Sequence, residues 1–205
     1  MQELNYLKDK VITPGAAPFV SHATYPVNDG HADLWLYDIF PGVQLMVTDF
    51  ACETCFQDGM EQDVIGIHHC ARGRFECVFD HWNYVYMGEG DIALNSMLHP
   101  PIGASFPLKD YFGSTIILYP KTCDDVPGLA GLGISAREIF RKYSLAEHCR
   151  VFRRNEAVEH VYRELYGNLA KPQLTFLRLK LLELLYHIQA DQTVFEENCG
   201  YLPKA

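Results

Sequence analysis

The stretch IGIHHCARGRFECVFDHWNYVYMGEGDIALN, residues 65–95, decides the fold class of this chain. Its short apolar runs are interrupted at Gly73, at Asp80-His81 and at the GEGD turn of residues 88–91. Alternation with a period of two, bounded by turn residues, is typical of antiparallel strands in a sandwich or small barrel. The middle of the chain is therefore predicted to be a β-structure that can enclose a ligand.

Strand-like sequence continues on both sides of this stretch. It runs from Leu34 to Phe50 around a Pro41-Gly42 turn, and again from Ile102 to Tyr119. After Pro127 the apolar period changes from two to about 3.6, which indicates helices. The sequence thus predicts an α+β chain with a β-region first and a helical region after it.

Three helices are predicted in the second region. Ser135 precedes Glu138 by three residues, a capping-box pattern that begins a short helix, and Asn155 is a suitable N-cap for a longer one. The last helix extends from residue 172 or 173 to about residue 190. Its strongest apolar stripe consists of Leu174, Leu177, Leu181, Leu184, Leu185 and Ile188. A helix this apolar either packs between other elements or meets a second chain.

Composition excludes several classes of function. The 205 residues carry a formal net charge of −9, which disfavours direct binding of nucleic acid by this chain. No apolar run reaches the roughly 18 residues that a membrane span needs. The polar N-terminus also lacks the apolar core of a secretory signal. We therefore expect a cytoplasmic protein that does not bind a membrane.

The cysteines and histidines offer a weak metal motif. Cys52 and Cys55 form a CxxC, and His68, His69 and Cys70 follow it. Neighbouring residues on a strand point to opposite faces, so His68 and His69 are poorly placed to bind one ion. Glu76 and His99 complete part of the residue set of metal-binding barrels but not the spacing. We predict no metal, no other cofactor and no catalytic residue; a stand-alone metal-dependent barrel enzyme remains the alternative.

Aromatic residues indicate where a ligand would bind. Trp82, Tyr84 and Tyr86 alternate along one predicted strand, opposite its predicted partner carrying Phe75, Cys77 and Phe79. Alternate aromatic side chains on one face can line an apolar pocket for a small organic molecule. The simpler interpretation, that they only fill a core, is also open for each of them.

The order of these motifs resembles the N-terminal sensor domain of AraC-family transcription regulators. The resemblance covers roughly residues 34–190 and rests on the IxIHHCxxGRFEC strand, the GxGD turn, the FPLKDYFG segment and the two amphipathic helices. His68, Gly73 and Gly90-Asp91 match family positions. The His-x-His pair of metal-binding cupins is missing, which favours effector binding without catalysis.

The resemblance implies an antiparallel cupin-like β-barrel followed by a C-terminal α-helical dimerisation element. The implied division is an N-terminal arm (1–33), an effector-binding barrel (34–127), a helical dimerisation element (128–192) and the start of a linker (193–205) to a DNA-binding domain that this chain lacks. A small-molecule effector would contact His68, Cys70, Glu76, Trp82, Tyr84 and Tyr86. Two copies would pair through Leu174, Leu177, Leu181, Leu184, Leu185 and Ile188, and DNA would be bound only by the missing domain.

Overall fold

The structure, a computed structural model, describes residues 12–54, 63–79, 84–146 and 149–190. The strands of the first half are β1 (Ile12–Pro14), β2 (Val20–Thr24), β3 (Ala32–Phe40), β4 (Val43–Phe50), β5 (Ile65–Gly73), β6 (Phe75–Val78), β7 (Tyr84–Met87) and β8 (Ile92–Ser96). The second half contains β9 (Gly103–Ser105), β10 (Tyr111–Leu118), α1 (Pro120–Cys123), α2 (Pro127–Ala130), α3 (Ala136–Lys142), β11 (Arg150–Phe152), α4 (Glu156–Gly167) and α5 (Leu174–Ala190).

Eight strands form a large antiparallel sheet in the order β1-β2-β3-β4-β10-β5-β8-β11. Its central strand β10 pairs with β4 on one side and with β5 on the other. The predicted hairpin around Pro41-Gly42 is confirmed, because β3 and β4 pair across that turn. The alternating runs of the sequence therefore specified most strands of this sheet.

A second, small sheet has three strands in the order β7-β6-β9. The chain passes from the large sheet to the small one at Gly73, which has φ of +87°, a backbone conformation that glycine adopts without a steric cost. Arg72, Gly73 and Arg74 connect the two sheets and do not form a hairpin, since β5 pairs with β8 and β10 whereas β6 pairs with β7 and β9.

The large sheet is covered on both faces. One face packs on the helices, through a core that includes Ile67 and Ile116 from the sheet and Val161 from α4. The other face belongs to a second core, which includes Phe50 from the large sheet and Met87 from the small one. The resulting order of layers is helices, large sheet, small sheet, with the two cores separated by the large sheet.

The helical predictions agree with the structure. Ser135 caps α3, its hydroxyl accepting a hydrogen bond from the backbone N–H of Glu138 at 3.3 Å. Helix α4 begins directly after Asn155, and α5 covers the predicted range from Leu174. Within the described part of the chain, no helix is both long and apolar enough to cross a membrane.

The closed barrel is corrected to two facing open sheets, because the edge strands β1 and β11 of the large sheet do not pair with each other. Two boundaries differ as well. The described part of the predicted arm contributes β1 and β2 to the sheet, where they continue its hydrogen-bond ladder onto β3. Strand β11, inside the predicted helical element, pairs with β8 and so returns to the β-region.

Candidate ligand cavity

A cavity of about 450 Å³ lies between the large and small sheets. Its aromatic walls come from both sheets and from the segments that join them, and are formed by Phe50, Phe75, Phe79, Phe106 and Tyr111. Sulfur atoms line much of the rest, in Met46, Cys77, Met87, Met97 and Cys149. Methionine is flexible and polarisable, so such a lining can adjust to the shape of a bound molecule.

A hydrogen-bonded row of polar side chains crosses the wall that the large sheet provides. The imidazole of His68 lies between two partners, with Nε2 2.6 Å from Asn95 Oδ1 and Nδ1 3.0 Å from Thr115 Oγ1. Because the amide oxygen only accepts, His68 donates from Nε2 and its Nδ1 accepts the hydroxyl proton of Thr115. Both ring nitrogens are therefore engaged by protein groups.

The strand register produces this row. On β10 and β5, Thr115 and His68 are directly opposite, and on β5 and β8, Gly66 is opposite Asn95. Directly opposed residues point to the same face. A Cβ at Gly66 would lie 2.6 Å from His68 Nε2 and 2.9 Å from Asn95 Oδ1, so only glycine leaves room for their hydrogen bond.

The residues next to this row, on the same two strands, face the helices. His69 stacks on Tyr162 of α4, with ring centroids 3.8 Å apart, and its Nδ1 lies 2.8 Å from the hydroxyl of Tyr166. The same hydroxyl lies 2.9 Å from Ser114 Oγ. The pair Ser114–His69 thus contacts α4 directly behind the pair Thr115–His68 that lines the cavity.

The two histidines make stability depend on pH. Burial lowers the pKa of His69 from 6.5 to about 4 and also lowers the pKa of His68. A histidine whose pKa is lower in the folded state takes up a proton on unfolding between the two values, so the free energy of unfolding falls as the pH drops through that window. For His69 alone, the fall between about pH 7.5 and pH 5 is about 2 kcal/mol.

Urea unfolding at these two pH values checks this expectation. His69→Phe retains a ring against Tyr162, and Tyr166 retains its contact with Ser114. On acidification, we expect the free energy of unfolding to fall by about 2 kcal/mol less in His69→Phe than in the wild type. An equal loss in both proteins would contradict the assignment of the pH effect to His69.

Of the residues predicted to bind a ligand, His68 lines the cavity and the others lie elsewhere or outside the described residues. Cys70 is fully buried beside the cavity, where its thiol contacts the backbone oxygens of Arg72 and Gly73. Trp82 lies outside the described residues.

Glu76, Tyr84 and Tyr86 lie on the outer face of the small sheet, because Cys77 and Val85, which alternate with them, line the cavity. Tyr84 is 49% exposed. Tyr86 lies between the guanidinium groups of Arg74 and Arg153, at 4.7 and 4.8 Å from its ring centroid. The pairing of β6 with β7 was predicted correctly, and Phe75, Cys77 and Phe79 line the cavity, whereas Tyr84, Tyr86 and Glu76 lie on the opposite face.

Sequence reasoning missed the polar residues Thr48, Asn95 and Thr115 and the aromatic residues Phe106 and Tyr111. Asn95 was the one with a usable signal, since a polar amide inside the apolar run of β8 needs a buried hydrogen-bond partner. The threonines give no such signal, because threonine is common in any strand.

The donors for a metal ion do not converge. Among the residues that the structure describes, no group of three or more His, Cys, Asp or Glu side chains could hold one. As expected for neighbours on a strand, His68 and His69 point to opposite faces of the sheet. Cys55 of the CxxC lies outside the described residues, and Cys52 is buried in the core between the sheets.

The residues predicted to form a dimer surface lie mostly inside one chain. Leu177, Leu181, Leu184, Leu185 and Ile188 are 0% exposed in the single chain, and Leu174 is partly buried against the same core. The first five cannot meet a second copy without unfolding of the helix layer. The outer face of α5 carries Leu179 and Tyr186, which are 60% and 53% exposed.

Comparisons with known proteins give distant structural likenesses. The sequence matches no known family profile, and no curated protein sequence matches it. The AraC-like transcriptional activator CuxR is similar over 93% of this chain and 66% of its own, at 10% identity and a TM-score of 0.41. KdgF from Halomonas sp. is similar over 56% of this chain and 89% of its own, at 14% identity and a TM-score of 0.36. EutQ from Clostridium difficile is similar over 43% and 64%, at 16% identity and a TM-score of 0.32. This chain thus spans about two thirds of the length of the AraC-like activator, and its function has to be inferred from the cavity and its side chains.

Proposed function

We propose that this chain is the effector-sensing domain of an AraC-type transcription regulator, and that it binds a small molecule between its two sheets. The observation that carries the proposal is the cavity of about 450 Å³ with apolar walls and a short polar row. Pockets for small organic ligands have this size and composition. The resemblance of the sequence to AraC-type sensor domains supports the same role.

The arrangement of layers supports a sensing role over simple storage of a ligand. The cavity wall and the helix contact use consecutive residues of the same strands, His68 and His69 on β5 and Thr115 and Ser114 on β10. A ligand that repositions His68 therefore acts on the strand that holds Tyr166 of α4. A switch of this kind requires that the ligand bind two arrangements of the helices with different affinity.

Dimerisation and DNA binding complete the proposal. A second copy would pack on the outer face of α5, where Leu179 and Tyr186 are exposed. DNA would be contacted by a separate domain, because a net charge of −9 disfavours phosphate contacts by this one.

Thermal denaturation with a library of small organic molecules tests the binding site. Ala104 lines the cavity and Ser105, its neighbour on β9, pairs with the outward-facing Glu76. We expect Ala104→Trp to fill the cavity and abolish stabilisation by any ligand, and Ser105→Trp, the matched control, to retain it. A ligand at 100 times its Kd stabilises by about 2.7 kcal/mol, a shift of several degrees in Tm. Equal stabilisation of both variants would place the ligand elsewhere, and a library without any stabilising compound would count against sensing.

The metal-dependent enzyme has a direct discriminator. Elemental analysis of protein purified without added metal would favour the enzyme if it showed one transition-metal ion per chain. The engagement of both nitrogens of His68 by Asn95 and Thr115 favours the sensor, since a ligating imidazole must leave one nitrogen for the metal.

A further inference from the structure

Within the described lining of the cavity, the hydroxyl of Tyr111 has no hydrogen-bond partner in the protein. Tyr111 lines the cavity and is 7% exposed, yet among the residues described by the structure its hydroxyl makes no hydrogen bond. The hydroxyl of Tyr111 lies over Gly113, the next residue of β10 that faces the cavity. A Cβ at Gly113 would be 2.6 Å from this hydroxyl. The hydroxyl is reachable from the cavity and can therefore donate a hydrogen bond to a bound molecule.

The surroundings of Tyr111 are aromatic. Its ring centroid is 4.9 Å from that of Phe106, 5.9 Å from that of Phe75 and 6.4 Å from that of Phe50. Burial raises the pKa of Tyr111 well above its ordinary value, so the hydroxyl remains a hydrogen-bond donor at neutral pH. In the described lining, Thr115, His68 and Asn95 are engaged with one another, and the hydroxyl of Thr48 donates to the carbonyl oxygen of Gly113 at 3.4 Å.

Charge is absent from the described lining of the cavity. Of the residues that line it, none is Asp, Glu, Lys or Arg. An ionised ligand would lose its hydration without gaining a counter-charge, which costs far more than a hydrogen bond returns. A sugar, with several hydroxyls to satisfy, would also find too few free polar partners.

We infer that the cavity takes an uncharged, mainly apolar molecule that presents one hydrogen-bond acceptor, such as a carbonyl oxygen, to the hydroxyl of Tyr111. This inference rests on the proposed function, because it specifies the ligand of the same cavity. The aromatic side chains around Tyr111 would contact the apolar body of the ligand, and the methionines would adapt to its outline.

Three matched fluorescent probes test the inference. Prodan is an uncharged naphthalene that carries a dimethylamino group and a propionyl ketone. The second probe has a carboxylate in place of the ketone, and the third is the parent dimethylaminonaphthalene without either group. Titration of each into the wild type, Tyr111→Phe and Tyr119→Phe gives the affinities. Tyr119 is a matched control, because it is equally buried and its hydroxyl donates to Gln44 Oε1 at 3.3 Å, away from the lining.

We expect prodan to bind about tenfold more weakly to Tyr111→Phe than to the wild type, the loss of one neutral hydrogen bond. Its emission should move to shorter wavelength in that variant, because the carbonyl is no longer hydrogen-bonded. Tyr119→Phe should change neither affinity nor emission, and the parent compound should not distinguish Tyr111→Phe from the wild type. The carboxylate should bind more weakly than prodan by a factor of about ten or more.

Two results would overturn the inference while leaving the cavity as a binding site. If the affinity and emission of prodan were the same in Tyr111→Phe as in the wild type, the hydrogen bond from the hydroxyl of Tyr111 would be excluded. If the carboxylate probe bound as tightly as prodan, the restriction to uncharged ligands would be excluded. In both cases Ala104→Trp would still abolish binding. If no probe binds the wild type, or if binding survives Ala104→Trp, the proposed sensing function fails together with the inference.

Discussion

Replacing Leu181 by aspartate is expected to unfold the chain. Leu181 is 0% exposed and belongs to the core between the large sheet and the helices. The substitution removes a buried leucine and places an unpaired carboxylate in an apolar site, at a combined cost of more than about 4 kcal/mol. Since a domain of this size is stable by about 5–15 kcal/mol, circular dichroism should show a large fall in Tm or no folded protein.

Leu179→Asp is the matched control, two residues earlier on the same helix. Leu179 is 60% exposed, so its substitution should leave the thermal melt nearly unchanged. If two copies pair through the outer face of α5, sedimentation should show a dimer for the wild type and a monomer for Leu179→Asp. A folded, monomeric Leu181→Asp variant would instead contradict the burial of this residue within one chain.

Replacing Arg153 by alanine is expected to destabilise the fold by about 3 kcal/mol, as measured by urea unfolding. Arg153 forms an ion pair with Asp91, whose side chain is only 6% exposed. The same carboxylate accepts the backbone N–H of Gly88 at 2.8 Å, and the guanidinium lies over the ring of Tyr86. Arg153 therefore connects the start of β8, the small sheet and the segment that leads into α4. Among the described residues, the removal of Arg153 leaves the buried carboxylate of Asp91 with only the hydrogen bond from the N–H of Gly88.

The next residue provides the control. Arg154 pairs with Glu159, but the Arg154 side chain is 57% exposed, so Arg154→Ala should cost less than about 1 kcal/mol. A double-mutant cycle with Asp91→Asn isolates the pair, because the cost of Arg153→Ala should fall once the buried charge is gone. Equal losses of unfolding free energy in Arg153→Ala and Arg154→Ala would mean that the buried ion pair of Arg153 with Asp91 stabilises the fold no more than the exposed pair of Arg154 with Glu159.

The order of the main strands and of helices α3 to α5 was predictable because each of them has a local signal, whereas the short strands β1, β2, β9 and β11 were not predicted. These signals are local in sequence. They are the alternation within each strand of residues 65–95, the capping box of Ser135 and Glu138, and the leucine stripe of α5. Whether the β-region closes into a barrel was not predictable, because this depends on pairing between edge strands such as β1 and β11, which are far apart in the sequence. The passage of the chain at Gly73 from one sheet to the other has no local signal either, because a glycine with positive φ suits a hairpin equally well.

The candidate site was less predictable than the fold. The faces of β6 and β7 depend on their partner strand β9, a segment of three residues with no pattern of its own, and a shift by one residue exchanges Cys77 for Glu76. Strand β8 is buried on both faces, so its alternation does not reveal that Asn95 points into a cavity. The leucines of α5 fit both a core and a partner surface, and only the packing of the sheet against the helix distinguishes the two.

The adjacency of His68 and His69 has a thermodynamic consequence. A single peptide bond separates the side chain that faces the cavity from the one that stacks on α4. Coupling free energies are reciprocal. If a ligand in the cavity changes the affinity of α4 for a macromolecule by some factor, that macromolecule changes the affinity of the cavity for the ligand by the same factor. For the proposed sensor, the effector concentration that produces a response would therefore depend on whatever macromolecule binds α4 as well as on the cavity, and an affinity measured on this chain alone would describe one state of assembly.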